Sequence, residues 1–336
     1  MANIAVIGAG PAGIEAASVL AQKHHVTIFE RSLTGLDNLR DKALLFPDFR
    51  AAAELVSLLD DKTKNGNIKI HYDTPVVNLA FENGEWNLTD GQGRHHTFRY
   101  VLLATGYHVF DARLKEELGY GIYDGVITSL ELERMIGENK VLNNIGEKPK
   151  QVSFLQCVGS RDEKTGNHYC SKICCVTAVK QAIEVKRMLP ETDVYIFYMD
   201  LRMWGQGFEE MYRTAQETYG INFVRGRISE AASTYDNRIQ LKAEDTLMGL
   251  PLTMNTDLLV LMVGMCASDG TRSLTESAGI QGLYGFAESK SPHLEDNLTA
   301  RDGLFVAGSC KRPMSLSDTI QDARSAAAVM LQQING

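Results

Sequence analysis

The chain has 336 residues, 44% hydrophobic and 23% charged, with a formal net charge of -8. That length suits two domains, each able to bury its own core. The acidic balance gives no electrostatic ground for nucleic acid or an anionic membrane as a partner, and no apolar run is long enough to span a bilayer.

In chain order, Asn3–Ile7 reads as a strand, Pro11–Ala21 as a helix and Val26–Glu30 as a second strand, before a polar stretch to about Phe49. A helix over Ala51–Lys62 follows, then strands near Ile68–His71 and Phe81–Thr89, with a turn at Asn83-Gly84. The strand Thr97–Ala104 ends in Ala-Thr-Gly-Tyr. A second α/β unit starts at Gln151–Gln156, continues through a helix over Ser171–Leu189, and adds a strand at Val194–Tyr198. A helix over Gly207–Tyr219 and a strand at Asn222–Val224 follow; the apolar run Leu258 to Gly264 reads as a buried strand. The tail returns to the first pattern with strand Leu304–Ala307 and a helix from Asp318 to Gln332. The fold class expected is α/β: a Rossmann-like nucleotide-binding domain, residues 1–110 and 262–336, with a second α/β domain, residues 111–261, inserted into it.

The first strand runs into Val6-Ile-Gly8-Ala-Gly10-Pro-Ala-Gly13, which opens a helix. Gly8 permits the tight turn, Gly10 lets the backbone approach a pyrophosphate, and Gly13 lets helix and strand pack closely. Glu30 ends the second strand about twenty residues on, where a carboxylate can accept ribose hydroxyls. The turn alone does not separate FAD from NAD. Leu103-Ala-Thr-Gly106 and Gly303-Leu-Phe-Val-Ala-Gly-Ser309, however, resemble the second and third flavin motifs of the thioredoxin reductase-like flavoproteins. With that resemblance FAD is the expected ligand. Its contacts are expected from Gly8, Gly10, Pro11, Ala12 and Gly13, from Glu30 and Arg31, from Val77, from Ala104, Thr105 and Gly106, and from Gly308 and Ser309. The third motif usually ends in Asp where this chain has Ser309. The helix near Asp318, with Thr319 and Ile320, is expected to aim its N-terminal amides at the flavin pyrimidine edge.

Six cysteines in such a chain argue for metal or redox chemistry over structural disulfides. Four fall in one window, Cys157-x12-Cys170-x3-Cys174-Cys175. There is no second G-x-G-x-x-G and no Cys-x-x-Cys, so an NAD(P)H-dependent disulfide reductase would lack both electron entry and exit. The vicinal pair fits the two separated knuckles of structural zinc poorly. A strained vicinal disulfide or four buried inert thiols are the remaining alternatives to a metal cluster.

Phe154-Leu-Gln-Cys-Val-Gly-Ser-Arg-Asp162, Tyr169-Cys-Ser-Lys-Ile-Cys-Cys175 and Tyr195-Ile-Phe-Tyr-Met-Asp-Leu-Arg202 resemble the A-type subunits of the heterodisulfide reductase family. So do Val126–Arg134, Ala178–Ala182 and Gly207–Tyr212. The resemblance implies FAD, and a [4Fe–4S] cluster on Cys157, Cys170, Cys174 and Cys175. It also implies that Lys180 is catalytic, lying near the flavin N5; without the resemblance it reads equally as a solvated helix lysine. Longer members carry further cysteine-rich segments that this chain lacks. Its compact form is similar to subunits of the heterodisulfide reductase-like sulfur-oxidation complexes, and less closely to flavoprotein subunits of quinone-interacting complexes.

The expected function is therefore that of an oxidoreductase: a flavin and iron–sulfur electron-transfer subunit serving thiol/disulfide or sulfane-sulfur chemistry. The resemblance implies a homodimeric core, partners like the heterodisulfide reductase B and C subunits, and a sulfur-carrier protein. The opening residues show no leader, so a cytoplasmic location is expected. A stand-alone NAD(P)H-dependent flavin disulfide reductase is the second reading, and a zinc-stabilised nucleotide-binding scaffold the third. Cys266 and Cys310 read as small buried side chains, His168 as an exposed loop residue, and Lys311-Arg312 as solvent-facing.

Overall fold

The structure is a computed structural model describing residues 1–335. The chain divides into two compact units: residues 1–40, 53–108 and those from Cys266 on form the first, and residues 41–52 with 109–265 the second. Among the described residues no helix is long and apolar enough to cross a membrane.

The first unit is built on a five-stranded parallel sheet in the order Leu304–Val306, Tyr100–Leu103, Asn3–Ile7, His25–Phe29, Ile68–His71. Ile4, Ala5, Val6 and Ile7 are all buried, as a parallel strand covered on both faces requires. Helices Pro11–Leu20 and Leu316–Asn335 pack together. Glu15, 3% exposed, pins them by accepting from Arg324 Nε at 2.7 Å and from Lys62.

Strands Val76–Glu82, Glu85–Asp90 and His95–Phe98 form an antiparallel sheet. Its first turn is Asn83-Gly84, with φ of 52° and 84°, the paired positive values of a two-residue hairpin. The single strand expected over Thr97–Ala104 is two: His95–Phe98 belongs to this sheet and Tyr100–Leu103 to the parallel one. The chain changes sheets at Arg99, whose guanidinium holds the Gly84 carbonyl (2.9 Å) and Asp302 (2.6 Å).

The second unit repeats the parallel pattern in the order Asn222–Arg225, Asp193–Tyr198, Gln151–Val158, Leu258–Val263, Val126–Thr128. The run Leu258–Val263 is buried at every position. Strands Ile228–Ser233, Ile239–Asp245 and Leu250–Thr256 form a separate antiparallel sheet. Helix Ser129–Gly137, which the sequence reading does not anticipate, starts with a capping box: Thr128 Oγ1 accepts from the Glu131 amide, and Glu131 reaches back to the Thr128 amide at 2.7 Å.

Residues 41–52, expected in the first unit, pack with the second. The Ala43 amide donates to Glu133 (3.0 Å) and the Leu44 carbonyl accepts from Lys180 Nζ (2.8 Å).

Candidate nucleotide and cysteine sites

Three glycine-containing turns meet at one end of the first unit's parallel sheet. Gly8 has φ of 108°, and a Cβ there would stand 2.5 Å from the Ala104 carbonyl oxygen. A Cβ on Gly13 would lie 1.9 Å from the Gly8 carbonyl oxygen, and one on Gly308 would lie 2.8 Å from Ala12 Cβ. Gly10 differs: a Cβ there would meet nothing within 4 Å. The turn is closed on the side facing the sheet and open at Gly10, the fit required by a pyrophosphate approaching the backbone. Pro11 stands at the first helical position, where its missing N–H costs nothing.

Glu30 is 7% exposed. Its Oε2 accepts from the Ala9 amide at 2.6 Å, and its Oε1 from the Ser32 amide (2.8 Å) and hydroxyl (3.0 Å). The acid that would read a ribose thus also ties the glycine turn to the second strand, and Oε2 retains a lone pair for a hydroxyl. Arg31 beside it is exposed. Thr105 Oγ1 bonds Thr271 Oγ1 at 2.7 Å, which fixes the Ala104–Gly106 turn. Val77 is 46% exposed, and its carbonyl accepts from Ser273 Oγ at 3.3 Å.

The third turn departs from expectation in two places. The final helix begins at Leu316, and its N-terminus is capped by Ser315, whose Oγ accepts from the Asp318 amide at 3.1 Å. The Thr319 amide bonds the Ser315 carbonyl at 2.9 Å. Thr319 and Ile320 therefore lie inside the helix, and the free amides are those of Leu316 and Ser317. Lys311 does not face solvent. It is 6% exposed, with Nζ held by Asp296 (2.8 Å) and Asp322 (2.7 Å). Asp322 also accepts from the Gly308 amide at 2.6 Å, so this ion cluster braces the turn. Ser309 is buried, and its hydroxyl has no partner among the described residues. Cys310 is fully buried, its thiol donating to the Ala307 carbonyl (3.2 Å) and pushed up to about 11 by burial.

In the second unit the strand Gln151–Val158 leads into the cysteine loop, and the helix Cys174–Met188 leaves it. Here a second nucleotide turn would stand. Cys157 takes φ of 60° and Gly159 of 72°, so the chain turns sharply off the strand end. Lys172, at φ of 65°, precedes a helix that starts at Cys174, three residues later than expected. Cys174 and Cys175 occupy the first helical turn, where the helix dipole favours anionic sulfur. Cys157, Cys174 and Cys175 are 5% exposed, and Cys170 is partly exposed.

The four thiols lie within electrostatic reach of one another. Burial, and then the other three, pushes Cys174 well above the usual thiol range. Burial likewise pushes Cys157 up to about 11. Burial also pushes Cys175 up, so any cation taking these sulfurs as thiolates has to offset their burial. Among the described residues no three Cys, His, Asp or Glu side chains close into a single-ion shell. His168 in the loop is exposed.

Lys180 is 2% exposed, which excludes a solvated helix lysine. Its ammonium pairs with Glu133 at 2.5 Å and Glu184 at 3.2 Å, and donates to the Leu44 carbonyl. Gln181 Nε2 donates to the other Glu133 oxygen at 2.6 Å. Two carboxylates thus share one ammonium in the interior. Burial, opposed by Lys180 and reinforced by Glu133, pushes Glu184 up to about 7 from an ordinary value of 4.5. Between those values the folded protein holds a proton that the unfolded chain has lost. This contribution to stability is therefore full below pH 4.5 and disappears as the pH rises through 7. The window is worth at most roughly 3 kcal/mol. Glu184→Gln mimics the protonated acid, so its urea midpoint should match wild type at pH 5 and exceed it at pH 8; parallel pH profiles would refute the assignment.

A family model described as pyridine nucleotide-disulphide oxidoreductase matches residues 2–145. The fold resembles thioredoxin reductase from T. acidophilum, with a TM-score of 0.70 at 17% identity and 100% coverage of both chains. It also resembles that from Lactococcus lactis, with a TM-score of 0.71 at 16% identity, covering 99% of this chain and 98% of the other. The fold is that of the two-dinucleotide-fold flavoproteins, with the glycine turn at the start of its first unit.

Within that class the chain is a homologue of the A-type subunits of heterodisulfide reductase. It is 43% identical over 240 residues to the iron-sulfur A-type component of the CoB–CoM heterodisulfide reductase of Methanocaldococcus jannaschii, covering 68% of this chain and 36% of that one. The corresponding component of a ferredoxin/F420H2-dependent CoB–CoM heterodisulfide reductase of Methanosarcina acetivorans is 35% identical over 239 residues, covering 69% and 30%. The chain spans about a third of the length of these relatives.

Proposed function

We propose that the chain is an FAD- and [4Fe–4S]-containing electron-transfer subunit of a heterodisulfide reductase-like complex. It works in thiol/disulfide or sulfane-sulfur redox chemistry, with cytoplasmic sulfur oxidation as the setting. The observation that carries this reading is the set of four buried or partly buried cysteines at the sheet end where the fold would otherwise bind a second nucleotide. When bound, FAD supplies a carrier that exchanges electrons in pairs or singly, and the cluster a carrier of single electrons.

The chain's own residues prepare both sites. Gly10 leaves the pyrophosphate approach open, Glu30 presents a carboxylate to the ribose, and Ser309 offers an unpartnered hydroxyl. Cys157, Cys170, Cys174 and Cys175 would hold the cluster, and Lys180, a buried cation, would be the catalytic residue of the flavin site. Relatives named as subunits of larger assemblies support partner subunits; to these the reading adds partners of the B and C types, a second copy of the chain and a sulfur carrier.

The test is the iron, acid-labile sulfide, zinc and flavin content of protein purified without oxygen. About four iron and four sulfide per FAD are expected. Zinc without iron would overturn the reading in favour of a scaffold. Flavin without metal, bleached rapidly and stoichiometrically by NADH, would establish a stand-alone reductase instead.

A further inference from the structure

Strand Asp193–Tyr198 lies beside Gln151–Val158 in the second unit's sheet, with Phe197 opposite Leu155. The residues that follow it therefore emerge next to Cys157. Arg161, four residues past Cys157, is held by a small hairpin: its amide donates to the Tyr169 carbonyl at 2.9 Å, and Asp162 bridges Asn167. Its guanidinium grips both oxygens of Asp200, through Nη1 to Oδ1 and through Nη2 to Oδ2 at 3.3 Å. The same guanidinium stands near enough to Cys157 to draw its thiol down against the stronger upward push of burial. Arg202 Nη2 adds a third link to Asp200 at 3.5 Å.

The main chain at this point addresses a second cysteine. The Arg202 amide donates to Cys175 Sγ at 3.4 Å, and the Asp200 carbonyl stands 3.8 Å from the same sulfur. A single three-residue segment thus reaches cysteines at both ends of the loop. We infer that Asp200 is a positioning residue for the cysteine centre, holding the Arg161 guanidinium against Cys157 and the Arg202 amide against Cys175. The inference rests on the iron–sulfur reading proposed above.

Its consequence is a sign. A cation and N–H donors at the sulfurs stabilise the more negative, reduced cluster and raise its potential. Asp200 is itself an anion, so as a mere neighbouring charge it would lower that potential. As the anchor of Arg161 it raises it. Removing the carboxylate therefore moves the potential down if Asp200 positions Arg161, and up if it only contributes charge.

The experiment is a redox titration of anaerobically purified, iron-loaded protein, followed by electron paramagnetic resonance. Asp200→Ala and Arg161→Gln should each disfavour reduction about tenfold, which is ~59 mV for one electron. The double variant should shift no further, and Asp200→Glu should restore the wild-type value. A rise, an unchanged potential or additive shifts in iron-loaded Asp200→Ala would overturn the inference alone. Should Asp200→Ala lose its iron on purification, a fall in Arg161→Gln with an unmoved Asp200→Glu supports the assignment, and any other result overturns it. Wild-type protein without iron overturns the proposed function, and this inference with it.

Discussion

Gly10→Ala should leave the fold intact and weaken FAD binding, whereas Gly13→Ala should damage the fold itself. Both glycines belong to one turn, yet their surroundings are opposite. A methyl at Gly13 would be driven to 1.9 Å from the Gly8 carbonyl oxygen, a backbone atom that cannot swing aside. Helix and strand would have to separate, at a cost of about 3 kcal/mol or more. At Gly10 the φ of -79° is open to any residue and the methyl would meet nothing within 4 Å. The unfolding midpoint should therefore change little, within about 0.5 kcal/mol. That open space is where the pyrophosphate must come, and losing one good charge-assisted hydrogen bond costs about 1.5–3 kcal/mol, roughly 10- to 100-fold in affinity. Flavin titration and thermal unfolding of both variants check this. Wild-type affinity in Gly10→Ala would remove the turn from the FAD site.

Cys174→Ala should abolish the metal content and spare the flavin. Cys174 lies within electrostatic reach of the other three cysteines and is buried in the first turn of its helix. A cubane deprived of this ligand should not survive purification, so iron should fall from about four per chain to below about one. The flavin content should hold, because the glycine turns belong to the other compact unit. Cys310→Ala is the matched control. That thiol is equally buried but spends its hydrogen on the Ala307 carbonyl in the first unit's core, so iron should remain unchanged. Full iron in Cys174→Ala would remove the cluster from these four residues.

Elements specified by local pattern were legible in the sequence. The glycine turn, the Asn83-Gly84 hairpin and the run Leu258–Val263 each carry their signal within a few residues. Features that depend on distant partners were not. Lys311 reads as solvent-facing because Asp296 and Asp322 lie 15 and 11 residues away. Lys180 meets Glu133 across 47 residues, and Arg161 meets Asp200 across 39. Two helix starts were signalled and missed: Thr128 with Glu131, and Ser315 with Asp318, both spaced for capping. The second of these displaced the amides expected near the flavin by about one turn.

The interleaving of the chain between the two units bears on how it is made. The first unit needs residues from Cys266 on, whose strand Leu304–Val306 is the edge of its parallel sheet. The second takes its Leu44 carbonyl from a segment 136 residues ahead of Lys180. The first unit therefore cannot finish until residues 266 on have emerged, whereas the second has all of its chain by residue 265. Residues 1–40 and 53–108 must wait, with a sheet position unfilled, for the strand Leu304–Val306 to emerge. Such long closures slow folding. A chain cut before Leu304 should accordingly be aggregation-prone with no intact nucleotide unit, and flavin loading should follow the emergence of that strand.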